Sequence, residues 1–104
     1  MSFVVEFSPM AEVDLERLFD FLLDRAESDD DLYRAQAVID AVRSTAVHQL
    51  GSTPFSFRKS GQSPVQRELI IPVGATGYVA LYEIVSPSKV VVLALRHQRE
   101  EDYH

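Results

Sequence analysis

A chain of 104 residues, 46% hydrophobic and 25% charged, holds enough apolar material for one core and no more, so a single domain spanning 1–104 is expected. The lack of cysteine excludes disulfides and thiolate metal sites, and no apolar run approaches the roughly 20 residues of a membrane helix. The formal charge of -6 is unevenly placed: residues 1–50 carry eleven carboxylates against four arginines, and residues 51–104 carry five against six cations. Such a balance counts against broad phosphate binding but leaves room for a small basic pocket. Met1-Ser2-Phe3-Val4-Val5-Glu6 lacks the basic start of a signal peptide, so a cytoplasmic protein is expected.

In chain order, Phe3 to Phe7 is apolar and β-prone and reads as a first strand. Ser8 is placed to cap a helix with Pro9 at its first position, where a missing N–H is harmless. Ala11, Leu15, Leu18, Leu22 and Ala26 recur at helical spacing opposite Glu12, Glu16, Asp20 and Asp24, which predicts an amphipathic helix over about 9–26. Asp29-Asp30-Asp31 places carboxylates at the positive end of a second helix. That helix carries Leu32, Ala35, Ile39, Val42, Ala46 and Leu50 on one face and is expected to stop at Gly51 and Pro54. Two helices joined by so short a segment form a hairpin, whose solvated outer faces account for the acidic first half.

Residues 51–64 read as a loop, pinned to the core by Phe55 and Phe57. Strands are then expected at Val65–Ile71, Tyr78–Val85 and Val90–His97, with turns at 72–77 and 86–89. The run Val90-Val91-Val92-Leu93-Ala94-Leu95, ending in Arg96-His97-Gln98-Arg99, looks like a central strand leaving the core through a polar cluster. The fold class is therefore α+β, in the order β-α-α-β-β-β: a helical hairpin packed on a mostly antiparallel four-stranded sheet.

Strict alternation puts Val65, Arg67, Leu69 and Ile71 on one face, and gives Arg96 the parity of Val90, Val92 and Ala94. The face away from the helices could then gather Arg67, Tyr78 or Tyr82, and part of Arg96–Arg99. Cleavage of RNA through its 2′-hydroxyl needs a base, an acid and a cation, roles open to His97, to Tyr82 or Tyr103, and to Arg67. Pairing of Arg67 with Glu68 or Glu83 and partial burial of a tyrosine would explain the same residues without chemistry. His48, His97 and His104 have no metal-ligand spacing, Glu100, Glu101 and Asp102 fall in an expected frayed tail, and neither a phosphate-binding glycine loop nor a serine-nucleophile motif occurs. No metal or cofactor is expected.

The order of these pieces resembles the RelE/ParE superfamily of toxins from bacterial type II toxin–antitoxin modules. The resemblance covers nearly the whole chain. It rests on Phe7-Ser8-Pro9, Ala11-Glu12-Val13-Asp14-Leu15, Leu50 with Pro54, Arg67-Glu68, Tyr78-Val79-Ala80-Leu81-Tyr82 and Val92-Leu93-Ala94-Leu95-Arg96-His97-Gln98-Arg99-Glu100.

In its ParE-like branch the resemblance implies a growth-inhibiting, plasmid-stabilising protein that blocks DNA gyrase and has no assigned catalytic residues. In its RelE-like branch it implies a ribosome-dependent endoribonuclease cutting mRNA, with Arg67, Arg96 and His97 or Tyr103 as matching positions. Both branches imply a cognate antitoxin. A toxin-like module without activity is a third expectation, motivated by the acidic balance. The cutting members are generally basic, whereas the second helix here has only Arg34 and Arg43, and the usual Gly-Arg after the loop proline is replaced by Phe57-Arg58. The ParE-like reading is therefore preferred, with Arg58, Arg67, Tyr82, Arg96, His97 and Arg99 as candidate surface residues.

Overall fold

The computed structural model describes residues 2–61 and 63–103. Of the three histidines weighed above, His104 lies outside them. The elements are β1 (Val4–Phe7), α1 (Pro9–Asp24), α2 (Asp29–Ser52), a single 3-10 turn (Pro54–Ser56), β2 (Arg58–Lys59), β3 (Gln66–Val73), β4 (Thr76–Ser86) and β5 (Lys89–His97). They build a mixed sheet of order β1-β5-β4-β3-β2 with both helices on one face. Every neighbouring pair is antiparallel except β1 and β5, which run parallel: the helical hairpin carries the chain from β1 to β2 at the far edge, and the meander from β2 to β5 brings it back beside β1.

Ser8 caps α1 by accepting the Ala11 N–H, with Pro9 opening the helix, and Ser28 caps α2 by accepting the Asp31 N–H. Asp31 returns a carboxylate oxygen to the Glu27 N–H at 3.0 Å. Ala11, Leu15 and Leu18 of α1 and Ala35, Ile39, Val42, Ala46 and Leu50 of α2 are buried as their spacing demands, but Leu32 is exposed. Gly51 does not stop α2, which runs on to Ser52. Its carbonyl accepts the Phe3 N–H at 2.7 Å, which ties the end of the helix to the residue before β1.

The sheet has five strands, one more than expected, because Arg58 and Lys59 pair with Glu68 and Arg67 inside the stretch read as a loop. In that stretch Pro54 is buried and Phe57 packs on the core, while Phe55 stays exposed. Pro72 lies within β3 rather than in a turn. It shares the parity of Glu68 but stands beyond the reach of β2, so on that open edge its missing N–H leaves no ladder bond unmade. The true turn is Gly74-Ala75, with Val73 opposite Thr76 and a left-handed φ of 58° at Gly74.

Alternation fails in β5. Val92 lies opposite Tyr82 but Ala94 lies opposite Leu81, so Leu93 is an extra residue that shifts the strand's parity. Before it Val90 and Val92 face the helices; after it Leu95 and His97 do, and Ala94 and Arg96 turn to the other face.

β1 ends at Phe7, opposite Val92, leaving the outer edge of β5 without a strand from Leu93 onward. Side chains complete the ladder. Ser8 donates its N–H to the Val92 carbonyl and its hydroxyl to the Leu93 carbonyl, both at 2.9 Å. Asp14, only 1% exposed, accepts the Leu95 N–H at 2.8 Å, and Arg17 donates to the Leu95 carbonyl at 3.3 Å. Glu100 accepts the His97 N–H at 2.8 Å.

Removing the buried acceptor would strand a buried N–H and take away the more distant of the two carboxylates beside Arg17, which stays bound to Glu100. Asp14→Ala is expected to lower stability by about 2–3 kcal/mol in urea unfolding, and Asp14→Asn, which keeps an acceptor, by about 1 kcal/mol. Equal losses for the two variants would contradict this assignment.

Candidate functional site

On the face away from the helices, Glu68 is the hub. Arg58 binds its Oε1 at 2.9 Å, the Tyr103 hydroxyl donates to its Oε2 at 2.6 Å, and Arg96 approaches Oε2 at 3.9 Å. The β2–β3 pairing sets Arg58 opposite Glu68, and the shifted register of β5 turns Arg96 toward it. Arg96 also donates to the Glu100 carbonyl at 2.6 Å and stacks 5.2 Å from the Tyr103 ring, strapping residues 97–103 over the sheet. The tail is therefore not frayed at Glu100 or Tyr103. Burial, then the hydrogen bond to Glu68, pushes the Tyr103 hydroxyl far above the ordinary tyrosine range, which suits it poorly to proton transfer.

Arg67 and Tyr82 lie on the opposite, helix-facing side, as their register pairing and the burial of Leu69, Ile71 and Tyr82 require. Arg67 donates to the carbonyls of Phe57 at 2.8 Å and Phe55 at 3.3 Å, and Tyr82 donates to that of Pro54 at 2.5 Å. Together they hold the 3-10 turn in place. The expected grouping of Arg67 and a tyrosine with Arg96 on the face away from the helices is thus overturned. Arg67 was assigned its own parity correctly, but that face is the packed one.

His97 is on the helix side too, edge-on to Tyr78 with ring centroids 5.2 Å apart. Its Nδ1 accepts the Arg99 N–H at 3.0 Å, so Nε2 carries the proton and donates to Thr76 Oγ1 at 2.6 Å. The sheet therefore separates His97 from Arg96 and Tyr103. Beside His97 a cleft of about 420 Å³ opens between α1 and the end of β5, lined by Arg17, Leu18, Phe21, Arg25, Tyr78, His97, Arg99 and Glu100. Arg17 binds both oxygens of Glu100 there, at 3.2 and 3.0 Å.

Sequence reasoning did not single out Asp14, Arg17, Phe21 or Arg25. A signal for Asp14 was present, since it stands three residues after Ala11 and four before Leu18, on the apolar face of α1. His48 lies exposed on α2, away from both clusters. Among the described residues no group of three His, Cys, Asp or Glu is placed to hold a metal ion, and no helix is long and apolar enough to cross a membrane.

Comparison with known proteins agrees with this architecture. Residues 5–102 match the family model for the ParE toxin of the type II toxin–antitoxin system parDE. A curated relative from Caulobacter vibrioides (strain ATCC 19089 / CIP 103742 / CB 15), called Toxin RelE3, is 36% identical over 96 residues, covering 92% of this chain and 95% of its own. A solved structure described as a chromosomal ParDE TA system from P. aeruginosa superposes with a TM-score of 0.69 at 10% identity, over 92% of this chain and 96% of that one.

Burial raises the hydroxyls of Tyr78 and Tyr82 as well, Tyr82 to about 12 from an ordinary 10.0. With rising pH the unfolded chain loses these protons first, so stability is full below about 10 and falls as pH climbs toward about 12. Urea midpoints taken across that window are expected to decline, and Tyr82→Phe to decline less steeply from its lower starting stability. An unchanged slope in the variant would contradict the role assigned to Tyr82 burial.

Proposed function

We propose that this chain, which belongs to the ParE toxin family of type II toxin–antitoxin systems, is a non-catalytic toxin that inhibits DNA gyrase and is neutralised by a cognate antitoxin. Its place of action is then the cytoplasm. The observation that carries the reading is the division of the candidate groups. A 2′-hydroxyl cleavage centre needs proton-transfer groups and a cation around one phosphate, but Arg67 and His97 lie on one side of the sheet and Arg96 and Tyr103 on the other. Arg67 and Arg96 are both engaged by backbone carbonyls, and Arg96 also faces Glu68. A toxin that acts by binding needs no such centre.

The name of the Caulobacter relative, together with the contact of Arg96 and Tyr103, favours mRNA cleavage on the ribosome as the second reading. The acidic balance weighs against approach to ribosomal RNA.

Purified protein added to a gyrase supercoiling reaction is expected to inhibit it in a dose-dependent way, and antitoxin co-expressed from the neighbouring reading frame to relieve the inhibition. Primer extension on mRNA from cells expressing the toxin is expected to show no new cuts. Unimpaired supercoiling together with cuts that vanish in Arg96→Ala would replace this proposal with the nuclease. Soluble, folded protein that leaves growth unaffected would leave only an inactive interaction module.

A further inference from the structure

The cleft between the second half of α1 and the end of β5 is lined by His97 and Arg99 of the candidate residues but lies apart from the Glu68 cluster and from Arg67 and Tyr82. We infer that it binds an acidic side chain carried next to an apolar one on a partner peptide. Its floor is apolar: Leu18 and Tyr78 are buried beneath it, and Phe21 is 50% exposed at its edge. Its rim is cationic. Arg25 lies over the Phe21 ring at 3.8 Å and Arg99 projects from the turn after β5; both are exposed, and among the described residues neither guanidinium is paired with a carboxylate. Arg17 at the back is already bound to Glu100, so the two rim cations are those left to meet a ligand.

The volume of about 420 Å³ suits one or two side chains. Two guanidiniums over a greasy floor select a carboxylate whose neighbour brings apolar surface. A nucleic-acid strand fits less well, because its successive phosphates would have to run along α1 past Glu16, Asp20 and Asp24, which border the adjoining groove. A peptide meets no such barrier. Beyond the cleft α1 offers Val13, 57% exposed, and Met10, 52% exposed, at helical spacing from Phe21, a stripe on which further apolar side chains could lie. This inference does not depend on which macromolecule the toxin inhibits.

The test is an amide NMR titration of the full chain with the capped tripeptide Ac-Leu-Glu-Leu-NH2. Saturable shifts are expected at Phe21, Arg25, Tyr78 and Arg99, with a dissociation constant on the order of 1 mM for so small a probe. Replacing the probe's glutamate with glutamine is expected to weaken binding about five-fold. Arg25→Glu/Arg99→Glu, which alters only exposed side chains, is expected to reverse the preference in favour of Ac-Leu-Lys-Leu-NH2 while distant amides stay unmoved. Equal binding of the glutamine peptide, no saturable shift at these amides, or stronger binding of a short oligothymidylate at the cleft would each overturn the inference.

Discussion

The buried hydrogen bond from the Leu95 N–H to the Asp14 carboxylate does work that a sixth strand would otherwise do. Because β1 has only four residues and stops at Phe7, β5, the strand between β1 and the central β4, runs past its partner and exposes an edge inside the protein. A buried backbone N–H without an acceptor costs about 1–3 kcal/mol, so that edge needs partners. α1 supplies them from Ser8, Asp14 and Arg17, which fixes the axial position of the helix on the strand. The apolar packing of Ala11, Leu15 and Leu18 then falls into register with Val90, Val92 and Leu95. A hydrophobic face alone would tolerate sliding; point-to-point polar contacts do not.

The same edge explains the fate of the cations. The extra residue at Leu93 sends Arg96 to the face away from the helices and His97 to the helix side, the reverse of what the parity of Val90 and Val92 gives, just where the strand leaves the core. Three arginines, Arg17, Arg67 and Arg96, act as clamps on irregular backbone. Each donates to main-chain carbonyls and keeps a buried Nε without a partner. Basic residues that look like a phosphate-binding set when read along the chain are therefore distributed among local structural tasks. Arg25 and Arg99 stand apart from this pattern, which is what marks their cleft as a surface for something outside the chain.

Much of the fold was legible because its signals are local. Ser8-Pro9 and Asp29-Asp30-Asp31 declare helix starts, and the spacing of Ala35, Ile39, Val42, Ala46 and Leu50 declares a buried face. Three valines and the turns at Gly74-Ala75 and Pro87-Ser88 mark the meander. Non-local features were not legible. β2 has two residues and exists only because Glu68 and Arg67 present an edge to it, and Pro72 is acceptable in β3 only because that edge is open where it sits. The bulge at Leu93 has no sequence signature in an unbroken apolar run, yet a slip of one residue reassigns every later side chain to the other face. The grouping of Arg67 with Arg96 on one face failed at that residue, and its placement away from the helices failed because the Arg67 face is the packed one, whereas the family resemblance, carried by the order of motifs, did not need the parity to be right.

Amide hydrogen exchange at Leu95 tests the central claim, that side chains of α1 close the sheet edge and so fix both faces of β5. If they do, Leu95 exchanges only through global opening, as slowly as Ala80 in the middle of β4, and in Asp14→Ala its protection falls selectively while that of Ala80 declines only with the overall stability. Rapid exchange of Leu95 in the native chain, at the rate of an ordinary exposed strand edge, would contradict it.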